Sequence, residues 1–548
     1  MRMMRWLLLA LFLAAAVLQP VGADGPPPAP GGAKRIRVNR GFEVVGKLYR
    51  HTDAAEAAAA DMAVLSKIKS PDELYYIRYL SVHNLPPDMR LEGLKVSSWL
   101  LNSVSKNDII VVPAIGGPDN ILIRVNLFDY GIDPKVWDKF GEKDPYFHQK
   151  IIETKVITVG TGEFEWVSTN ETYRASDGKW YYKQVQREKT ITQTVTGHEK
   201  VAAAAWLDTN SMLYLIDKTK SRAPILRADW FITYASQSPQ YYDWLGFKTL
   251  DDYLNFVAFD KRALRREARA TVVTSGSGGK CPRVARHNRI LRWTPTFNGG
   301  VWETFDFAQS TGAKNVINNF LASKRDAGEY IGNGGNGLQY YFLVNGKNER
   351  VDESDNKVVV DSMALDARVI NGRSCMWCHS KGINDFSSQF QLQVGPRPDQ
   401  SDLGIAGKDN RKVDPKEALE LQQFILKVFG APNFCDIISN GQRTYASAVR
   451  LCNGLSPEEN AALFKKHWDG YFEDHLDMSR IVYELGYTEE EVRSLIPLRL
   501  DGKDDGVLLQ QLLQPPIAIR RDHWEESFAR IALLSTLIKK KPPTEGQK

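Results

Sequence analysis

The chain has 548 residues, of which 43% are hydrophobic and 25% are charged. This length is more than one small domain needs, and the composition excludes global disorder, collagen-like repetition and a multi-pass membrane protein. The 71 basic and 66 acidic residues give a formal net charge of +5 that is spread along the chain. Charge therefore gives no reason to expect a nucleic-acid partner.

The first 23 residues have the pattern of a secretory signal peptide. Arg2 and Arg5 precede an apolar run from Trp6 to Leu18, and small residues end the segment at Ala23. The run is shorter than the roughly 20 apolar residues of a membrane-spanning helix, and no later run reaches that length. We therefore expect export with cleavage, a mature chain with no membrane span, and a periplasmic or secreted location.

Composition and periodicity divide the rest of the chain into four parts and predict an α+β fold. Residues 24–34 are rich in Pro and Gly and predict a linker. Residues 35–275 are expected to form a mixed α+β domain with β-hairpins. Residues 276–400 are expected to form a region that carries the Cys- and His-containing motif described below, after a further β-hairpin. Residues 401–548 are expected to form a helical C-terminal region.

Local signals place the individual elements. The periodicity predicts helices over residues 52–68, 72–80, 461–485 and 489–496, and helical structure from Lys416 onward. Strand-like runs are predicted over residues 109–112, 121–127, 155–166, 180–195 and 338–344. Turn residues 116–120 and Asn345-Gly346 indicate two hairpins.

Residues 373–379 read Arg-Ser-Cys-Met-Trp-Cys-His and contain a CxxCH motif. The thiols of Cys375 and Cys378 are spaced to add to the two vinyl groups of a haem, and His379 then lies under the iron as its proximal ligand. With five Cys and nine His, chance gives this pattern in roughly one such chain per thousand. We therefore expect one covalently bound haem c. Because covalent haem is attached outside the cytoplasm, the motif and the signal peptide support each other.

Two other uses of paired thiols explain the motif less completely. A zinc site needs a second Cys or His pair at suitable spacing. A thioredoxin-like redox pair does not require His379. Neither alternative accounts for all three residues.

The chain resembles a family of large secreted bacterial cytochrome c-like proteins that carry a single CxxCH motif late in the sequence. The resemblance covers about residues 72–498 and is carried by the segments 109–131, 224–231, 287–293, 301–307, 336–344 and 371–379. It implies a single-haem periplasmic protein whose haem segment follows an NGLQ-type hairpin, with defined roles only for Cys375, Cys378 and His379. Where that family has a hydrophobic stretch before the hairpin, this chain has Ile331–Gly335, which we expect to be a mobile loop.

The second axial position of the iron decides between electron transfer and catalysis, because two strong ligands leave no place for a substrate. His287 is the first candidate for this distal ligand and Met478 is the cytochrome-like alternative. Further candidates are Met363, His467 and His475. A lone His or Met is more often a core or surface residue than a ligand.

Three functions remain open on the sequence alone. The first is electron transfer by a periplasmic single-haem c-type cytochrome with an unknown redox partner protein. The second is a peroxidase-like haem enzyme with an open iron position, and the third is a haem-containing binding or scaffold protein. No Ser-His-Asp arrangement, phosphate loop or paired metal cluster in the sequence indicates a second chemistry.

Three smaller expectations concern other residues. Arg373 is expected to be an exposed surface residue, with pairing to a haem propionate as the alternative. Cys435 and Cys452 are expected to form a disulfide that closes a loop of roughly 18 residues, which leaves Cys281 over. Aromatic residues near the motif are expected to pack in the core, with haem contact as the alternative; they are Trp293, Trp302, Tyr340, Tyr341 and Trp377.

Overall fold

The computed structural model of the chain describes residues 47–273, 287, 289–309, 311, 324–364, 366–386, 434–472, 475–498, 507–513 and 518–536. The predicted signal peptide, the linker, Cys281 and the start of the helical region at Lys416 lie outside these residues. Val45–Lys548 forms one compact unit. Helices and several separate sheets, with helices alone toward the C-terminus, confirm the predicted α+β class.

Sixteen helices are described, and helices follow one another in the described C-terminal part. They are α1 His51–Leu65, α2 Pro71–Leu74, α3 Pro87–Ser103, α4 Pro134–Gly141, α5 Asn210–Thr219, α6 Ala228–Ala235, α7 Gln240–Leu245, α8 Leu250–Phe256, α9 Lys261–Glu267, α10 Arg373–Cys378, α11 Phe434–Asn453, α12 Pro457–Phe472, α13 Met478–Leu485, α14 Glu489–Leu495, α15 Val507–Gln510 and α16 Arg521–Ser535. No helix in this described part of the chain is long and apolar enough to cross a membrane.

Eleven described strands form three sheets. They are β1 Ile77–Ser81, β2 Ala114–Gly116, β3 Leu122–Asn126, β4 His148–Arg174, β5 Trp180–Ala203, β6 Ile225–Arg227, β7 Arg269–Val273, β8 Arg289–Thr294, β9 Val301–Phe305, β10 Ala327–Asn333 and β11 Gln339–Asn345. The first sheet has the order β2-β3-β1-β6, the second is the pair β4-β5, and the third has the order β11-β10-β9-β8-β7. All pairs in the third sheet are antiparallel.

Buried charges connect the C-terminal helices to the first sheet. The Glu484 carboxylate of α13 accepts hydrogen bonds from Arg227 at 2.6 Å and from Arg521 at 3.0 Å. Arg227 also pairs with Asp229 at 2.6 Å, and all four side chains are buried. Such a network is stable only when every charge has a partner, because an unpaired ion in a dry interior is costly.

Several local predictions are confirmed. Helix α1 fits the predicted helix over residues 52–68, and α14 fits the one over residues 489–496. Helix α14 begins with a capping box, in which Thr488 Oγ1 accepts from Glu491 N–H and the Glu491 carboxylate accepts from Thr488 N–H. The first predicted hairpin is the antiparallel pair of β2 and β3, with β2 beginning later than expected.

The predicted helix over residues 461–485 is two helices, because α12 ends at Phe472 and α13 begins at Met478. Three further expectations about the fold are wrong. Residues 72–80 do not form one helix, because α2 ends at Leu74 and the buried strand β1 begins at Ile77. The expected mobile loop at Ile331–Gly335 begins as the end of β10, since Gly332 lets that strand approach α8: a Cβ there would lie 2.9 Å from the Tyr253 hydroxyl.

The expected disulfide is the third wrong expectation. Cys435 and Cys452 are free thiols on the same helix, α11, one exposed and one buried. Seventeen residues of helix separate them by about 25 Å, far more than the roughly 6 Å between the Cα atoms of a disulfide.

Candidate functional site

One face of the five-stranded sheet is the floor of the candidate site. The strand register sets Trp293, Trp302, Ile331 and Tyr341 side by side across β8 to β11. Side chains alternate between the two faces of a strand, so residues two positions away point the same way. Glu329 of β10 therefore lies on this face, one row from the aromatic residues.

The CxxCH motif folds as the short helix α10, which is seated on the chain between α6 and α7. Ser238 N–H donates to the Asn371 carbonyl at 3.0 Å. Gly372 then has φ +83°, and a Cβ on it would lie 2.3 Å from the Ser236 carbonyl oxygen. Only glycine combines this backbone angle with this close contact, so the residue before the motif fixes where the helix begins.

His379 ends the helix with its ring over the sheet. The ring stacks on Tyr341 with centroids 6.2 Å apart. Nδ1 lies 3.3 Å from the Gly382 carbonyl oxygen, and Nε2 lies 3.9 Å from Oε2 of Glu329. Burial lowers the pKa of His379, so its imidazole is neutral at neutral pH. With Nδ1–H donating to the carbonyl, Nε2 carries the free lone pair that a metal ion needs.

The two thiols of the motif are reduced and poorly ionisable. Cys375 is buried and Cys378 is partly buried. Burial raises the pKa of Cys375 well above its usual value, and the negative charge of Glu329 adds to this. Burial also raises the pKa of Cys378, with Asp361 and Glu329 as further causes. A thioredoxin-like pair instead depends on a lowered thiol pKa, so this environment argues against that alternative.

Glu329 is the site residue that the sequence analysis missed. Its carboxylate faces His379, and its negative charge contributes to the raised pKa of both thiols. The backbone N–H of Glu329 donates to Thr304 Oγ1 at 2.8 Å. The available signal was a charged residue at an inward position of an otherwise buried strand, whose pattern is Ala-Gly-Glu-Tyr-Ile-Gly-Asn. The sequence analysis predicts no strand at this position and expects a loop from Ile331 onward, so it does not place Glu329 on a sheet face.

An ion pair lies on the same face, beyond Glu329. Arg289 of β8 pairs with Asp306 at 2.6 Å, and Thr304 Oγ1 donates to Asp306 at 2.6 Å. The charge of Arg289 contributes to the lowered pKa of His379. Arg289 is therefore a cation on this sheet face that interacts electrostatically with the motif through His379.

Arg373 differs from the expectation that it is an exposed surface residue. Its side chain is buried, not exposed, and its guanidinium lies over the rings of Trp377 and Trp468 at 5.2 and 4.9 Å. It also donates to the Arg368 carbonyl at 2.9 Å and pairs with Asp366 at 3.3 Å. The ring contacts hold α10 against α12, and both polar contacts use the same guanidinium nitrogen, Nη2.

The described contacts of the His379 ring are Tyr341, Gly382 and Glu329, and the distal-ligand candidates lie elsewhere in the described part of the chain. Both ring nitrogens of His467 are buried and lack a hydrogen-bond partner among the described residues, and Nε2 lies 4.0 Å from Glu92. Met478 begins α13 and His475 is exposed just before it. His287 lies at a bend just before β8.

Met363 lies in a segment that contacts α10. Its backbone N–H donates to Asp361 at 2.9 Å, and Trp377 of α10 donates to the other oxygen of that carboxylate at 2.9 Å. The Met363 side chain itself is half exposed. If Met363 were the distal ligand, it would come from the short stretch of chain before α10.

A cleft of about 220 Å³ lies beside the motif, over the end of the same sheet face. Trp293, Trp302, Asn333 and Gln339 line the sheet side, and residues of α11 together with Ile383 line the other. Trp293 and Trp302 thus border a cavity, whereas Tyr340 points away and donates to the Ser105 carbonyl. The cleft is smaller than the pockets that usually enclose an organic ligand, which are about 300–1,000 Å³.

The residues present fit a covalently bound haem. Two reduced thiols and a neutral imidazole stand on one short segment, with the imidazole anchored through Nδ1 and its Nε2 free. No three His, Cys, Asp or Glu side chains in the described part of the chain are placed to hold a metal ion. A haem iron needs only one or two protein ligands, because the porphyrin supplies four.

Comparison with known protein families, with curated proteins and with solved structures finds no match to this chain. The site is therefore interpreted from its own residues.

Proposed function

We propose that the protein is a periplasmic single-haem c-type cytochrome that transfers electrons through a haem bound to Cys375 and Cys378, with His379 as the proximal ligand. The observation that carries this proposal is the orientation of His379, whose Nδ1 is held by a carbonyl while Nε2 is free. The haem would supply one-electron redox chemistry. The chain's own residues attach it, orient the proximal ring and exclude water from the buried thiols.

A row of aromatic side chains supports electron transfer. Trp377 lies between the two motif cysteines and meets Trp468 edge to face at 5.6 Å. Trp468 stacks on Phe472 at 4.8 Å, and Phe472 is half exposed. This row connects the haem-bearing helix to the surface of α12, which we propose as the place where the redox partner protein docks.

A second candidate function, a peroxidase-like haem enzyme, is favoured by Glu329. A carboxylate that faces Nε2 lies on the side where the iron would bind, and a carboxylate is able to take or give a proton there. An open iron position beside an acid-base group is what such an enzyme requires.

Visible absorption spectra of the mature protein, produced with haem-maturation machinery, distinguish the two functions. A low-spin spectrum that cyanide and peroxide do not change quickly supports the electron carrier, because it requires a sixth ligand. Replacing that ligand, tested singly as Met363→Ala, His287→Ala, Met478→Ala, His467→Ala and His475→Ala, should produce a high-spin ferric haem. A high-spin wild-type protein that reduces peroxide with an added electron donor supports the enzyme instead.

The aromatic row has its own test. Trp468→Leu should slow reduction of the haem by an external protein donor while the spectrum stays the same, and Trp524→Leu, a buried tryptophan of α16, serves as the control.

A further inference from the structure

Strands β4 and β5 form a two-stranded arm that the proposed haem function does not explain. Each strand has at least 24 residues, so the arm extends for about 80 Å. Within the described part of the chain the two strands pair only with each other. A ribbon of two strands is marginally stable in water unless a further surface covers one of its faces.

One face of the arm is aromatic. Trp180 and Tyr182 are two positions apart on β5, so their side chains lie on the same face. Trp166 and Phe164 of β4 pair with positions 186 and 188 of β5, which places them on that face too. These four rings are 66%, 63%, 64% and 62% exposed in that order. The opposite face carries Tyr173, Tyr181 and Val185, which are less exposed. A concentration of exposed apolar surface of this kind marks an interaction site.

We propose that this aromatic face docks against the same face of a second copy of the chain. Along the arm the rings form two clusters, Trp180 with Tyr182 of β5 near the turn and Trp166 with Phe164 of β4 nearer the base. The Ser168–Gln184 pair lies midway between the clusters. A two-fold axis through that pair sets the turn cluster of each copy on the base cluster of the other, as a self-complementary dimer interface requires.

The area available matches what a stable dimer needs. Aromatic side chains present about 150–250 Å² each, so four rings that are about two-thirds exposed offer roughly 500 Å² per copy. Two copies then bury about 1,000 Å² from these rings alone, and flanking polar residues bring the total into the range of about 1,200–2,000 Å² for specific interfaces.

The charges of the arm favour a second copy over a lipid surface. Residues 163–189 contain five acidic and five basic side chains, so two arms approach without net repulsion. Lys183 pairs with Glu171 at 3.1 Å and Lys189 pairs with Glu163 at 3.4 Å, which neutralises these charges inside one arm. Insertion into a bilayer would instead desolvate ten charged groups, at a cost of about 2–4 kcal/mol for a basic side chain at mid-depth.

The first test measures the mass of the haem-loaded mature protein by sedimentation velocity over a range of concentrations. The wild type should dimerise, and the double variant Trp166→Thr with Trp180→Thr should raise the dissociation constant at least about tenfold. The matched control Tyr173→Thr with Tyr181→Thr changes two aromatic residues on the opposite face and should leave dimerisation unchanged. An unchanged haem spectrum in each variant shows that the body is folded.

The second test locates the two-fold axis. In a background with Cys281→Ser and Cys435→Ser, Gln184→Cys should give a disulfide-linked dimer on mild oxidation, whereas Val185→Cys on the opposite face should not. A wild-type protein that stays monomeric at every concentration, a dimer that survives loss of Trp166 and Trp180, or equal cross-linking at positions 184 and 185 overturns the proposal. So does a monomer whose tryptophan fluorescence responds to phosphatidylcholine–phosphatidylglycerol vesicles or to a polysaccharide, when that response is lost in Trp180→Thr.

Discussion

The Nε2 atom of His379 lies 3.9 Å from the Oε2 atom of Glu329, although the two residues are 50 positions apart in the sequence. The contact arises because α10 lies on the face of the third sheet that carries Glu329. A negative charge at this position acts on the same ring nitrogen that we propose as the iron ligand. The relationship therefore gives the first testable prediction.

Glu329→Gln should raise the reduction potential of the haem-loaded protein. A nearby carboxylate stabilises the more positive ferric state, and its removal favours the ferrous state. Potentiometric titration of the visible spectrum measures this shift. Glu349→Gln, an exposed change in the turn after β11, is the control that should leave the potential unchanged. A potential that is equal in the two variants would place the haem away from Glu329.

Gly372→Ala should destabilise the protein more than Gly454→Ala. Both glycines have a positive φ, +83° and +78°, so both substitutions strain the backbone, and the ψ of −76° at Gly372 lies outside the left-handed helical region as well. Only at Gly372 does the new Cβ also overlap a neighbour, the Ser236 carbonyl, while nothing lies within 4 Å at Gly454. Urea unfolding monitored by tryptophan fluorescence compares the two, and equal losses would contradict the docking of α10 described above.

Glu484→Gln should cost about 3–5 kcal/mol of unfolding free energy, because it leaves buried arginines without their counter-charge. Glu489→Gln removes a surface partner of Arg493 and should cost less than about 1 kcal/mol. Denaturant titration at neutral pH measures both changes. If the two losses are similar, the buried network does not connect the C-terminal helices to the first sheet in the way its geometry indicates.

Acid should destabilise the protein partly through His467. Burial lowers the pKa of His467 to about 4, against about 6.5 in the unfolded chain. A histidine that is neutral when folded contributes its full stability above about pH 6.5, and this contribution is lost as pH falls toward 4 because the unfolded state takes up the proton. At pH 5 the loss is about 2 kcal/mol.

His467→Leu should therefore flatten the fall in the free energy of unfolding between pH 7.5 and pH 5. The exposed His475→Leu is the control. Denaturant titration at the two pH values measures the free energy of unfolding of each variant. A pH dependence of this free energy as steep as that of the wild type would show that His467 is not buried in its neutral form.

Local features of this protein follow from its sequence, and features that depend on strand register do not. Helix α14 and the turn after β11 are set by residues a few positions apart, such as Thr488 and Glu491. By contrast, Gly332 reads as a loop residue because nothing in the sequence indicates that the strand must pass close to α8. With β10 missing, the pairing that presents Glu329 to His379 was not predictable.

The same reasoning applies to the cysteines. Spacing alone permits a bond between Cys435 and Cys452, but a continuous helix between them separates the two thiols. At Arg373 no local pattern indicates that Trp468, almost a hundred positions away, covers the guanidinium. The CxxCH motif was recognisable because its three chemical groups lie within five residues.

Intact-protein mass spectrometry under denaturing conditions tests the central claim most directly. The mature protein, produced with haem-maturation machinery, should be heavier than its polypeptide by one haem, since thioether bonds survive denaturation. Cys375→Ala with Cys378→Ala should have the polypeptide mass alone, and His379→Ala should keep some attached haem but lose the native spectrum. A wild type without the added mass, or a double variant that retains it, would contradict haem attachment at this motif.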